Sequence, residues 1–273
     1  MLDDPDNYNF EGEGKELSVL FSDIRDFTSI SEHLPADKLK AFLNEYLTPI
    51  TGLIFDNKGT IDKYIGDLVM AFWGAPVDDP KHHYHAVITG LQMLDKIKEL
   101  NVEFEKKDFP HVRVGIGINS GFMNVGDMGS TYRRAYTVLG DAVNLGSRLE
   151  SITKFYGVSF LIGEETHDHI EGVLCRQIDK VKVKGKDDPV RIYEPLCLEK
   201  DATEELLAKT RLYNKAFTHY LQQEWDDAAA LFSQLQESEP DALLYSVYLE
   251  RIADLRQQDL GSDWDGTFRH TSK

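Results

Sequence analysis

The sequence predicts an α+β protein: a ferredoxin-like βαββαβ antiparallel sheet core packed with helices, followed by a C-terminal helical extension. Three observations predict it. Two long segments, Leu39 to Ile54 and Ala86 to Leu100, carry apolar residues at helical spacing. Short apolar, β-branched runs of strand length lie before, between and after them. Two of those runs meet at Gly66-Asp67, a pair suited to a hairpin turn. The resulting order is β-α-β-β-α-β, with more of both kinds beyond.

Residues 1–15 are polar and acidic with two glycines, and read as a linker. Leu17 to Arg25 reads as the first strand. Pro35 to Phe55 is the first long helix, its apolar stripe formed by Leu39, Phe42, Leu43, Tyr46, Leu47 and Ile50. Gly59–Ile65 and Leu68–Trp73 form the hairpin. Pro80 to about Phe104 is the second long helix. His82, His83 and His85 fall at its start, where a surface reading outweighs a metal site. Val112–Ser120 is a strand with small residues on alternate positions, and Gly140–Tyr156 is a third helix. The Gly115, Gly117 and Gly121 spacing lies inside that strand rather than ahead of a helix, so a dinucleotide-binding loop is excluded on context. Further strands fit 158–162, 174–183 and 190–198.

Composition shifts near residue 200 to an acid-rich helical segment, 201–273, that frays after 258. Ala216, Ala228, Phe232 and Pro240 fall at the spacings of one tetratricopeptide repeat. An ordinary helical hairpin fits equally well. A single repeat cannot bury its own face, so the segment is expected to dock on the core, a second chain or further repeats.

With 41% hydrophobic and 28% charged residues the composition is that of a globular protein. A net charge of −17 argues against nucleic-acid binding, which needs clustered Lys and Arg. Cys175 and Cys197 are too few for a disulfide framework and suit a reducing compartment. No run approaches a membrane span, and Met1–Glu16 has no signal-peptide pattern. A cytoplasmic protein is expected, or the cytoplasmic part of a membrane-bound parent carrying an upstream sensor.

Two carboxylates stand out. Asp23 ends the run Val19-Leu-Phe-Ser-Asp23, and Asp67 ends Lys63-Tyr-Ile-Gly-Asp67. Each sits where a strand hands over to a turn. An Asp beside a turn is commonly a turn or capping residue. Two carboxylates brought together are also what divalent cations on a triphosphate require. Asn144 and Arg148, four apart on the third helix, share one face.

Four segments in order carry a resemblance: Phe21-Ser-Asp-Ile-Arg-Asp-Phe-Thr28, Lys63-Tyr-Ile-Gly-Asp67, Tyr136-Thr-Val-Leu-Gly-Asp-Ala-Val-Asn-Leu-Gly-Ser-Arg148 and Val183-Lys-Gly-Lys186. Over residues 16–198 the chain resembles a class III nucleotidyl cyclase catalytic domain. The resemblance implies an adenylyl cyclase, a lyase that converts ATP to cyclic AMP and pyrophosphate in signal transduction. It implies two metal ions, Mg²⁺ or Mn²⁺, on Asp23, Asp67 and the Ile24 carbonyl. It implies that Arg148 stabilises the reacting phosphorus, that Asn144 orients the ribose, and that Lys184 binds the triphosphate, with Lys186 able to share or take that role. A charged hairpin tip is the plain alternative for both lysines. Backbone N–H groups of the turn Ile24–Thr28, including Phe27 and Thr28, are expected to cradle phosphate.

Base choice falls to Lys63 and Thr137, a pair that resembles the subclass often responsive to bicarbonate; guanylyl cyclases carry Glu and Cys there. Family relatives assemble a head-to-tail homodimer with shared sites, and this chain carries both halves. Asp26, where many relatives have Gly, adds negative charge beside the turn, and Gly146, in place of a common Ala, is expected to loosen its helix slightly. The domains expected are 1–15 linker, 16–200 catalytic and 201–273 extension. A guanylyl cyclase and a catalytically silent nucleotide-binding or scaffold module are the alternatives. A diguanylate cyclase is excluded by its missing Gly-Gly-Asp/Glu-Glu-Phe signature.

Overall fold

The computed structural model describes residues 12–182, 188–261 and 263–269. In chain order the elements are β1 (Glu13–Ile24), α1 (Phe27–His33), α2 (Ala36–Asp56), β2 (Thr60–Ile65), β3 (Leu68–Trp73), α3 (His82–Glu105), β4 (Val114–Ser130), β5 (Arg133–Leu139) and α4 (Asp141–Tyr156). Then come β6 (Phe160–Gly163), α5 (Glu164–Asp168), β7 (Val173–Lys182), β8 (Val190–Leu198), α6 (Glu204–Leu221), α7 (Trp225–Ser238), α8 (Leu243–Leu255) and β9 (Thr267–Arg269). The predicted α+β class and βαββαβ core are present. Strands run β2-β3-β1-β4 with every pair antiparallel. β6 then joins β4 in parallel, and β8, β7 and β9 complete the sheet.

Both faces of β1 are covered, which explains its unbroken apolar run. Leu20 and Ile24 pack with Phe42, Tyr46 and Ile50 of α2 and with Val87 and Met93 of α3. Val19 and Phe21 point the other way, into a cluster with Met70, Phe72 and Val143. On that second face α4 lies directly on β4. A Cβ at Gly117 would stand 2.1 Å from the Glu150 backbone nitrogen and 2.5 Å from the Gly146 carbonyl oxygen. The alternate small residues of β4 are therefore the seat of α4. Gly146 serves the same approach, since a Cβ there would meet Val19 at 3.0 Å.

The C-terminal helices dock on this chain's own sheet. Tyr213, Phe217, Phe232 and Tyr248 share one buried cluster with Tyr156 and Val158 beside α4, Leu161 of β6, and Ile178 and Val181 of β7. Ala216 and Ala228, two of the repeat-spacing positions, are buried in it.

Several boundaries differ from expectation. Residues 13–15 of the expected linker already pair with Met123–Val125 of β4, because a strand can extend through polar residues where a partner edge is present. Phe27 and Thr28, expected in a turn, begin α1. β4 runs ten residues beyond Ser120 and folds back on β5, a strand not anticipated because small and charged residues interrupt its apolar pattern. The segment after 258, expected to fray, adds β9 alongside β7. The short α5 was also not anticipated.

Candidate active site

The end of β1 and the β2–β3 hairpin bring the two carboxylates together. Asp67 is 8% exposed, and its Oδ2 accepts a hydrogen bond from the Ile24 N–H at 2.9 Å. Burial first, then a hydrogen bond to Asp23 and the charge of Asp23, push the Asp67 carboxyl up to about 7. Two carboxylates close enough to share a hydrogen bond are a donor set for hard divalent cations, so the residues fit the expected metal. They line one cleft with Ile24, Asp26, Phe27, Thr28, Glu32 and Lys154.

This pair makes the metal-free protein pH-sensitive. The folded chain holds a proton on Asp67 more tightly than the unfolded chain does. Stability from this group is therefore lost as pH rises from the usual carboxylate range through about 7. Asp67→Asn is expected to unfold at a higher temperature than the parent at about pH 8 without metal, with the gap closing near pH 4. Thermal scans with and without Mn²⁺ check this; Mn²⁺ is expected to raise the parent's Tm and leave the variant's unchanged.

The phosphate-turn expectation needs correction at Ile24. Its N–H is taken by Asp67, and the neighbouring Arg25 N–H donates to the Arg113 carbonyl at 2.7 Å. Neither amide is free to cradle phosphate. Asp26 adopts the left-handed conformation (φ 59°) at the start of α1, and its carboxylate meets Arg113 at 3.3 Å and Lys154 at 3.7 Å. The negative charge that Asp26 adds beside the turn is thus partly balanced.

A second cluster forms where β2 faces β5. Lys63 Nζ lies 3.5 Å from the Thr137 hydroxyl oxygen and 3.0 Å from the Asp62 carboxylate. The Thr137 hydroxyl donates to Asp62 Oδ2 at 2.5 Å. The Asp62 side chain is fully buried, whereas the Lys63 side chain is 44% exposed. Sequence reasoning missed Asp62 because strict alternation puts neighbours on opposite faces of a strand. A register shift between Ile61 and Lys63 brings both side chains to one cluster.

Asn144 and Arg148 lie on α4, Asn144 exposed and Arg148 half-buried. Neither side chain meets a hydrogen-bond or ion-pair partner among the described residues. Two residues on, Glu150 is buried, and burial followed by the Asp23 charge raises its carboxyl to about 7, against the pull of Arg25. Lys184 and Lys186 lie outside the described residues. His82, expected on the surface at the start of its helix, is instead buried at 7% exposure, because its ring bonds to the buried Ser18 hydroxyl at 2.8 Å and stacks on His83.

Comparison with known proteins places these residues in context. The family described as the adenylate and guanylate cyclase catalytic domain matches residues 11–194. An adenylate cyclase of Anabaena cylindrica is 42% identical over 185 residues, covering 66% of this chain and 36% of that protein. The terminal-differentiation specific adenylate cyclase of Dictyostelium discoideum is 34% identical over 243 residues, 87% of this chain and 11% of the other. The latter match must reach into the C-terminal helices. The chain thus spans about a third or less of the length of these relatives. Among solved structures, the adenylyl cyclase CyaB from P. aeruginosa superposes with a TM-score of 0.65 at 37% identity, over 71% of this chain and all of that one. The guanylyl cyclase Cya2 gives 0.63 at 30% identity, over 71% and 98%.

Proposed function

The chain belongs to the adenylate and guanylate cyclase catalytic domain family, and from that premise we propose that it is an adenylyl cyclase that converts ATP to 3′,5′-cyclic AMP and pyrophosphate. The observation that carries the choice of base is the Asp62–Lys63–Thr137 cluster. Asp62 accepts the hydrogen bond that the Thr137 hydroxyl donates, so the Thr137 oxygen faces a base as an acceptor. Lys63 remains a donor. Adenine offers the complementary pair, an acceptor at N1 and a donor at its exocyclic amine. Guanine offers the reverse and leaves both protein groups unmatched, the kind of mismatch that discriminates strongly.

In the reaction the ribose 3′-oxygen loses its proton and bonds to the α-phosphorus as the bond to pyrophosphate breaks. Asp23, Asp67 and the Ile24 carbonyl would hold the two Mg²⁺ or Mn²⁺ ions, which supply acidification of the hydroxyl and charge neutralisation on the phosphates. Arg148 places a guanidinium against charge that develops at phosphorus. Asn144, one turn earlier, orients the ribose. Lys184, or its neighbour Lys186, binds the triphosphate, with Phe27 and Thr28 bordering the same end.

Residues 16–200 form the catalytic unit in this reading, and 201–273 a tetratricopeptide-like extension of it. The pairing of Lys63 with Thr137 supports reading the chain as a member of the subclass often responsive to bicarbonate. The active form is a head-to-tail homodimer in which one chain supplies Asp23 and Asp67 and the other supplies Lys63, Thr137, Asn144, Arg148 and Lys184. Exposed apolar residues at the hairpins favour such an interface: Ile65, Phe122 and Leu139 are 64%, 62% and 54% exposed. No helix among the described residues is long and apolar enough to cross a membrane. We place the chain in the cytoplasm, under an upstream sensor.

Product formation from ATP and from GTP with Mn²⁺ tests the reading. Cyclic AMP from ATP alone, absent in Asp67→Ala, is expected; product from GTP alone would overturn the base assignment. The double variant Lys63→Glu/Thr137→Cys is expected to move the preference toward GTP by on the order of 100-fold or more in the ratio of kcat/KM values.

A further inference from the structure

A cavity of about 610 Å³ lies behind the metal cleft, at the seam between the sheet, α3, the end of α4 and the start of α8. Its buried lining is apolar: Ile97, Val112, Val114 and Val158 are each at most 6% exposed. Its charged lining is the reverse of the molecule's. In a chain of net charge −17, four cations, Arg25, Lys98, Arg113 and Lys154, line it against two acids, Asp26 and Asp241.

These cations are incompletely balanced. Arg113 and Lys154 divide a single carboxylate, Asp26, at 3.3 and 3.7 Å. Among the described residues Lys98 pairs with Asp95 at 2.9 Å, a surface contact of little energetic weight. Arg25 is half-buried; it donates to the Thr153 hydroxyl and to the Val158 carbonyl at 3.3 Å. Its charge is felt by the buried Glu150 carboxylate, which attracts it, and by the like charge of Arg113, which repels it. A pocket open to solvent, with a buried apolar floor and four cations along its lining, suits one chemical type.

We propose that this cavity binds a small amphipathic monoanion, its apolar body against Ile97, Val112 and Val158 and its charged head among Arg25, Arg113, Lys98 and Lys154. The site is distinct from the nucleotide site and does not depend on the cyclase reading. It adjoins the metal cleft through Asp26 and Lys154, which line both. An occupant therefore competes with Asp26 for its cations, directly beside the turn that follows Asp23.

Anilinonaphthalene sulfonate tests the site, with N-phenylnaphthylamine as the neutral probe of the same aromatic body. Fluorescence titration of the full chain is expected to show one saturable sulfonate site per chain, with the neutral probe at least about tenfold weaker. Arg113→Glu/Lys98→Glu, both at exposed side chains, is expected to weaken the sulfonate about tenfold or more and leave the neutral probe unchanged. Leu243→Trp, which fills the mouth, is expected to weaken both probes. Equal affinity for the two probes, or unchanged sulfonate binding in the charge-reversed variant with its fold verified by circular dichroism, would overturn the proposal.

Discussion

Mixing two inactive variants, Asp67→Ala and Arg148→Ala, is expected to restore about a quarter of the parent's activity, because in a shared-site dimer each heterodimer regains one intact site. Each variant alone is expected to lose on the order of 10²–10³-fold in kcat or more, the usual loss when one group serving the transition-state charge is removed. The two residues belong to separate elements. Asp67 sits in the β2–β3 turn, against Asp23 at the end of β1, and Arg148 on α4, without an ion pair among the described residues. Both folds are expected to persist, since Arg148 has no ion pair among the described residues and the Ile24 N–H that Asp67→Ala releases is offset by removal of a carboxyl already disfavoured by burial. In an equal mixture half the dimers are mixed, and one of their two sites carries both substitutions. Cyclic AMP formation is measured after the two purified chains are mixed and allowed to exchange. If activity stays at the level of the separate variants while exchange is verified by a labelled chain, the shared-site arrangement is wrong.

The carboxylate half of this arrangement was readable in the sequence because it depends on local pattern. An apolar run that ends in Asp23 and a tight turn at Gly66-Asp67 each report a strand end, and strand ends gather at one edge of a sheet. α4 was readable too, since Leu145, Leu149 and Ile152 repeat at helical spacing and Gly157, at φ 67°, terminates it. What was not readable depends on non-local pairing. Asp62 owes its role to a register shift, which breaks the period-two rule that sequence reasoning uses. β5 hides behind its arginines because its partner β4 supplies the hydrogen bonds and little apolar burial is required. The Ile24 amide looked available for phosphate until Asp67, 43 residues away, was seen to accept from it. β9 is only three residues long and exists because the edge of β7 is there to receive it.

That same edge anchors the largest expected loss of stability. Arg251 of α8 donates to Asp179 of β7 at 2.5 Å and to the Tyr156 hydroxyl at 3.2 Å, and its guanidinium lies 3.6 Å from the Phe268 ring centroid in β9. Tyr156, at the end of α4, donates its hydroxyl to the same Asp179. The Asp179 side chain is 1% exposed and the Arg251 side chain 9%. Burial pushes the Asp179 carboxyl up, and Arg251 is the opposing charge that holds it down. Arg251→Ala leaves a buried carboxylate without its cation and removes the stacked guanidinium from Phe268. The expected cost is about 3–5 kcal/mol, read as a lower urea midpoint with little change in slope. Arg251→Met paired with Asp179→Asn is expected to recover most of it, because apolar packing and a neutral amide replace the ion pair. An equal loss in the double variant would mean that the guanidinium stacking, and not the charge pair, carries the stability. The consequence reaches the site through α4. The helix that presents Asn144 in its second turn and Arg148 at its middle is fixed at its end by Tyr156, inside a network that the C-terminal helices complete. Arg251→Ala is therefore expected to lower kcat even at temperatures where the protein stays folded, since a displacement of Arg148 of about 1 Å can cost on the order of 100-fold.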